Sequence, residues 1–259
     1  MSSREQSVTL LRRNKRKMVD NLTALGFTEL SYDMRASDFP KYIKWAGGLL
    51  DLTVAANREM ADGSIEHRYF TAEEWEALSD ENKALYNMRG VRVRAEGQSF
   101  VISQQHSQVG SLAWCTENMG VADMPAYSNV AVADAKYVGL MYEKESRRYT
   151  ESISKITAST PAADAVLSHR ADKTWDDSAW ALPCPLHVML MYRYFIEINA
   201  FISEIWNDGY CLGEQNVWTC IPATSSLAWY MNLSDGTFTA QNKTTSARVI
   251  PICVEPSKL

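Results

Sequence analysis

Trp218-Thr219-Cys220-Ile221-Pro222-Ala223-Thr224-Ser225-Ser226-Leu227-Ala228-Trp229-Tyr230-Met231-Asn232-Leu233-Ser234-Asp235-Gly236-Thr237-Phe238-Thr239-Ala240-Gln241-Asn242-Lys243 alternates two kinds of sequence. Large aromatic and aliphatic residues recur, and between them lie runs of small, mostly polar residues of almost arbitrary kind, 221–227 and 237–242. A catalytic pocket demands particular chemistry at particular places, whereas a surface that recognises changing partners demands a rigid frame with interchangeable tips. The stretch, extended over residues 210–252, reads as strands and loops built for binding. Its strand candidates are 228–233 and 247–252, with Ser234-Asp235-Gly236 as the turn after the first.

Upstream of it the pattern changes to helix. Over residues 185–206 the residues Val188, Met189, Tyr192, Phe195, Ile196, Asn199, Ile202 and Ile205 form an inward face and leave Arg193, Glu197 and Glu204 outside, which predicts one long helix stopped by Asn207-Asp208-Gly209. A second helix is expected over 161–171, with Pro161 in its first turn. Between 103 and 149, Gly110, Gly120, Pro125 and Gly139 break the chain into loops and brief strands. Residues 91–102 read as a hairpin turning at Glu96-Gly97. Thr71 followed by Glu74 is a capping box that opens a helix carrying Trp75 and Leu78, and a further helical turn starts near Ser79. Residues 8–25 predict an amphipathic helix through Leu11, Met18, Leu22 and Leu25, ended by Gly26, and 38–50 predict a second short element. Helices come first and strands last, so the expected class is α+β.

The totals narrow the function. The chain has 259 residues, of which 46% are hydrophobic, enough for a proper core. A net charge of −5 gives no general attraction to nucleic acid or to an anionic membrane. The one basic cluster, Arg12-Arg13-Asn14-Lys15-Arg16-Lys17, reads first as a solvated helix face, with docking to an acidic partner and nucleic-acid contact as the lesser readings. No run of about 18 apolar residues predicts a membrane-spanning helix, and the N-terminus lacks the apolar core of a secretory signal. The five cysteines lack the tight spacing of zinc sites and read as mostly buried thiols. His67, His106, His169 and His187 are scattered singly, without the i, i+4 spacing of a helical metal pair.

Three blocks resemble the C-type lectin fold in its formylglycine-generating-enzyme-like branch, and specifically the retroelement-diversified variable proteins, to which the phage major tropism determinants belong. Trp180-Ala181-Leu182-Pro183, followed by a helix carrying Glu197-Ile198-Asn199, looks like the family's W-x-L-P entry into a core helix. Trp218-Thr219-Cys220 is similar to its W-S-S opening of the variable segment. Ala228-Trp229-Tyr230-Met231-Asn232, then Gly236, Lys243 and Arg248-Val249, follows its A-W-x-V-x, G, K, R-V framework at the same spacing. The resemblance covers roughly residues 91–252.

The resemblance implies a C-type lectin-like domain over 65–259, preceded by a helical attachment or oligomerisation segment over 1–64, with a variable region at about 217–247. Trp218, Trp229, Gly236, Lys243 and Arg248 would be framework. The expected ligand contacts are Thr219, Cys220, Ile221, Pro222, Ala223, Thr224, Ser225, Ser226, Leu227 and Tyr230, together with Thr237, Thr239, Ala240, Gln241, Asn242, Thr244, Thr245 and Ala247. Several of these are small or aliphatic, where strong contacts are usually Tyr, Trp or Arg, so weak single-site binding amplified by multivalent display is expected.

The function implied is receptor recognition at a phage tail, in a virion protein made in the host cytoplasm. Expected partners are a host-surface protein or glycan receptor, other virion tail proteins through the N-terminal segment, and further copies of the chain, as a trimer. Nucleic acid, membrane insertion, cofactor and metal are not expected. Two alternatives stand beside this: a bacterial surface or cytoplasmic binding protein of fixed specificity, and an oxidising enzyme of the formylglycine branch working through Cys220 or Cys253, neither of which has an adjacent basic residue in the sequence. Trp206-Asn207-Asp208 spells the calcium tripeptide of sugar-binding lectins, but at an expected helix end it reads as a stop signal.

Overall fold

The computed structural model describes residues 50–95, 98–121, 146–169, 179–206 and 211–254. The helix expected over 8–25, its basic cluster and nearly all of the element expected over 38–50 lie outside the described residues. Among those described, the chain runs β1 (Asp51–Glu59), β2 (Ile65–Phe70), α1 (Ala72–Glu76), α2 (Asp80–Lys83), β3 (Asn87–Ala95), β4 (Gln98–Ser103), α3 (His106–Val109), β5 (Ser111–Ala113), α4 (Ser146–Ser154), α5 (Pro161–Leu167), β6 (Trp180–Ala181), α6 (Pro185–Arg193), α7 (Phe195–Ile205), β7 (Asn216–Pro222), β8 (Leu227–Asn232), β9 (Phe238–Asn242), β10 (Ser246–Arg248) and β11 (Ile252–Val254).

Two sheets organise these elements. The first has the order β2-β1-β3-β4-β11-β6 and the second β5-β10-β7-β8-β9. Every pairing is antiparallel except β10 with β7, a parallel contact of Arg248 with Val217. Segregated antiparallel sheets with helices make the class α+β. The reason given by the sequence pattern needs correcting, since β1 to β4 precede most of the helices.

The division of the chain also moves. Its two compact units are Met1–Leu50 and Asp51–Leu259, so the sheet-bearing unit begins at Asp51 and not at residue 65. The cause is β1, which pairs with β2 on one side and β3 on the other. Val54, Ala55, Ala56 and Asn57 are all 0% exposed, so a strand buried on both faces shows none of the alternation by which a strand is read.

Local rules hold where side chains satisfy the backbone directly. Thr71 Oγ1 accepts the Glu74 N–H at 3.1 Å while the Thr71 N–H donates to Glu74 Oε2 at 2.8 Å, which fixes α1 and seats Trp75 against Phe70 and Tyr86. Ser79 caps α2 in the same way through the Asn82 N–H.

Two longer readings break in half. The helix expected over 185–206 is two helices, because Tyr194 leaves helical geometry at φ −108° and ψ 26°. α6 buries Pro185, Leu186, His187, Val188, Leu190 and Met191, nearly all round, whereas α7 buries only the stripe Phe195, Ile198, Ile202 and Ile205. The strand expected over 247–252 is β10 in one sheet and β11 in the other. Pro251, which has no N–H to give a ladder, stands at the crossing. The helix expected over 161–171 is described as Pro161–Leu167, ending at Ser168.

Candidate functional site

The second sheet is anchored by three indoles. Trp218 and Trp114 are 0% exposed, with Trp218 Nε1 donating to the Leu112 carbonyl and Trp114 Nε1 to the Thr219 carbonyl, both at 2.9 Å. Trp229 stacks on Phe238 across the β8–β9 pair, ring centroids 4.8 Å apart and planes 3° from parallel. Tyr230 lies opposite Trp218 on β7 and meets it edge to face at 5.6 Å. The turn into β9 closes at Gly236, whose φ is +74° and whose missing Cβ would stand 2.5 Å from Tyr192 Cε1.

Between Trp218 and Pro222 β7 is bulged. Trp218 pairs with Tyr230 and Pro222 with Ala228, four steps on β7 against two on β8. Thr219 holds the bulge from inside, its Oγ1 donating to the Trp229 carbonyl at 2.9 Å and accepting the Ile221 N–H at 3.3 Å. The Cys220 N–H leaves the sheet to donate to the Pro183 carbonyl at 2.9 Å.

At the far end of β7, β8 and β9 two turns meet around one buried cation. Lys243, 0% exposed, donates through Nζ to the carbonyls of Met119 at 2.6 Å and Ser225 at 3.0 Å, and stands 4.7 Å above the Trp114 ring. Its main chain adds two bonds: its N–H donates to the Ser226 carbonyl, and its carbonyl accepts the Cys115 N–H. Burial pushes the Lys243 ammonium down to about 8, with the Cys115 thiol acting the other way. The turns are closed by their own side chains. Thr224 Oγ1 accepts the N–H groups of Ser226 and Leu227, and Asn242 Oδ1 accepts the N–H and hydroxyl of Thr244.

These facts sort the eighteen expected contact residues. Thr224, Ser225, Ser226, Leu227, Tyr230, Thr239, Ala240, Gln241, Asn242, Thr244 and Thr245 are exposed or half-exposed on the two turns and the β8–β9 pair; Thr237 is exposed at the opposite end, beside Gly236. The expectation fails for Thr219, Cys220, Ile221, Pro222, Ala223 and Ala247, which are buried. Thr219, Cys220 and Ile221 lie in the bulge, Pro222 and Ala223 follow it, and Ala247 is paired between β5 and β7 in mid-sheet. Among the framework residues, Trp218, Trp229 and Lys243 are buried, Gly236 is in the left-handed region, and half-buried Arg248 donates to the His106 carbonyl at 3.2 Å.

Other reactive groups are dispersed. Burial pushes His187 down to about 3 and His106 to about 4, so both are neutral imidazoles near pH 7. His169 Nε2 is 2.6 Å from Ser103 Oγ, and both residues are buried. Sequence spacing gave no sign of Arg89, the extra residue where β3 is bulged against β1. It is 1% exposed, and Nη2 donates to Cys253 Sγ at 3.2 Å. The basic neighbour of Cys253 is thus brought by the fold, and the residues flanking it in the sequence are not basic. Among the described residues no group of three or more His, Cys, Asp or Glu side chains is placed to hold a metal ion. Asn207 and Asp208 lie outside them.

The fold and site thus define an α+β protein with an uncharged hydroxyl- and amide-bearing rim on a buried aromatic frame. A scan against family models, a search of curated proteins and a search of solved structures each find no match to this chain.

Proposed function

We propose that the chain is a ligand-recognition protein of C-type lectin-like fold whose C-terminal region, diversified by a retroelement, selects the host receptor at a phage tail. The observation that carries this reading is the division of residues 217–247 into an enclosed frame and an open rim. Trp218, Trp229 and Lys243 are buried, while twelve neighbours, all but Leu227 small or polar, reach solvent. Substitutions at such exposed positions usually change stability by no more than about 0.5 kcal/mol, so the rim can vary while the frame stays fixed. The finer fold reading rests on the three motif blocks and on the C-terminal strands carrying that rim, which is what the resemblance requires. A helical attachment segment ahead of Asp51, trimeric display and attachment to other tail proteins belong to the same proposal.

The test is to sequence the DNA flanking the gene and the gene itself in several isolates of one lineage. The expected result is a reverse transcriptase gene beside a near-identical template repeat, with differences confined to template adenines and concentrated at the twelve exposed positions. Uniform sequence without a repeat sinks diversification and leaves the binder of fixed specificity, found in cells and not in particles.

The oxidising enzyme has one observation on its side, the Arg89 guanidinium beside Cys253, since a cation favours the reactive thiolate. Cys220 points the other way, because burial pushes its thiol well above the ordinary range. Loss of an oxidising activity in Cys253→Ser would favour the enzyme; binding unchanged by that substitution favours the binder.

A further inference from the structure

The bulge in β7 brings Cys220 to the start of α6. One backbone hydrogen bond, from the Cys220 N–H to the Pro183 carbonyl, joins the two segments. Covalent geometry on either side of that bond keeps the Cα atoms of Cys184 and Cys220 within roughly 7 Å, a range that takes in the window of about 4.4–6.8 Å over which two Cα atoms can be bridged by sulfur. Cys184 directly follows Pro183, and both it and Cys220 are 0% exposed. Burial is the main cause that raises the Cys220 thiol and the nearby Cys184 thiol is the next. None of the five cysteines is in a disulfide. Cys184 Sγ also lies 3.3 Å from His187 Nδ1, the Cys220 thiol is hydrogen-bonded with Ser146, and the other three stand elsewhere. Cys115 donates its N–H to the Lys243 carbonyl, Cys211 lies against Asn199 and Ser203, and Cys253 is beside Arg89.

We propose that Cys184 and Cys220 are a disulfide-forming pair, closed by a small-molecule oxidant as the chain folds, which cross-links the entry of α6 to the bulged strand of the second sheet. The oxidant is a small disulfide such as glutathione disulfide. One cysteine thiolate attacks it and releases a glutathione thiolate; the second attacks the resulting mixed disulfide and releases another. Two protein S–H bonds and one glutathione S–S bond are exchanged for one protein S–S bond and two glutathione S–H bonds. Two electrons pass to glutathione, and both protons end on its thiols. Because both sulfurs are enclosed in the folded chain, the exchange takes place before β7 docks. The inference is independent of what the rim binds.

The experiment is to refold the full chain from denaturant in a mixed glutathione buffer, quench in acid, alkylate, digest without reductant and read the peptides by mass spectrometry. The expected result joins the peptides of Cys184 and Cys220 and leaves Cys115, Cys211 and Cys253 alkylated. Closing the loop of residues 184–220 is expected to raise the unfolding midpoint by roughly 10 °C over the reduced chain. Alkylation of both cysteines in the refolded chain, or their pairing with any of the other three, overturns the proposal. The primary readout uses the unaltered chain, so it does not depend on a variant that folds; Cys184→Ala adds a control in which oxidation moves the midpoint by nothing.

Discussion

Replacing Lys243 by Met keeps an unbranched chain of similar length in the same place and removes only the ammonium. Two charge-assisted bonds to the Met119 and Ser225 carbonyls go with it, each worth about 1.5–3 kcal/mol net, along with a cation–π contact of about 1 kcal/mol. Two carbonyls then lose their donor at a partly buried site. Against this stands the cost of having buried an ammonium, several kcal/mol, which the thioether does not incur. The lost charge-assisted bonds decide the sign, and Lys243→Met is expected to lower the unfolding free energy by about 3 kcal/mol at pH 7, measured by urea denaturation.

Titration gives the same residue a second signature. The folded-state value is about 8 against an ordinary 10.5, so between those limits the unfolded chain holds a proton the folded chain has shed. Stability from this group is therefore lowest below pH 8 and rises toward pH 10.5, and the gap between the native chain and Lys243→Met widens over that window. A loss under 1 kcal/mol at pH 7 would refute the carbonyl argument. A gap that stays flat or narrows from pH 8 to 10 would refute the burial argument.

Gly236→Ala is expected to cost about 2–4 kcal/mol by urea denaturation, from positive φ and from the Cβ driven into the Tyr192 ring, and Tyr192→Ala in the same chain should recover the second part only. Thr244→Tyr and Thr239→Lys, on the rim, should each shift the unfolding midpoint by under about 2 °C, whereas Ile221→Lys should unfold most of the protein on heating well before the native chain, because it buries an unpaired charge. His106 and His187 are held neutral, so the unfolded chain takes up two protons that the folded chain refuses. Their contribution is present above about pH 6.5 and is lost as pH falls toward 4, with a slope near two protons; His106→Asn should reduce that slope by about one, read from unfolding free energies at pH 6.5 to 4.5.

What could be read before the structure follows a physical line. The caps at Thr71 and Ser79, the β3–β4 hairpin and β8 were legible because each is settled by residues within a few positions of one another. β1 was not, because burial on both faces erases the alternation that marks a strand. The break at Tyr194 and the crossing at residues 249–251 depend on which sheet or layer comes next, a fact no local window contains. Lys243 was singled out as framework through the family resemblance, but its role as the tie between the 114–119 and 225–226 segments was not legible, since its acceptors are carbonyls and carbonyls have no letter in the sequence. Arg89 was invisible for a related reason: a bulge decides which way a strand residue points.

The same kind of bulge, in β7, sets the terms on which a randomised library built on this chain would behave. Eighteen positions look interchangeable when read as letters, yet five consecutive ones, 219–223, are buried in the bulge and just after it, and Ala247 makes a sixth. Codons opened at those six would be screened by folding before any ligand was offered, and most members would be lost to that first sieve. The repertoire such a library can present is therefore a product over the twelve positions that remain, and sampling effort spent on the other third dilutes it.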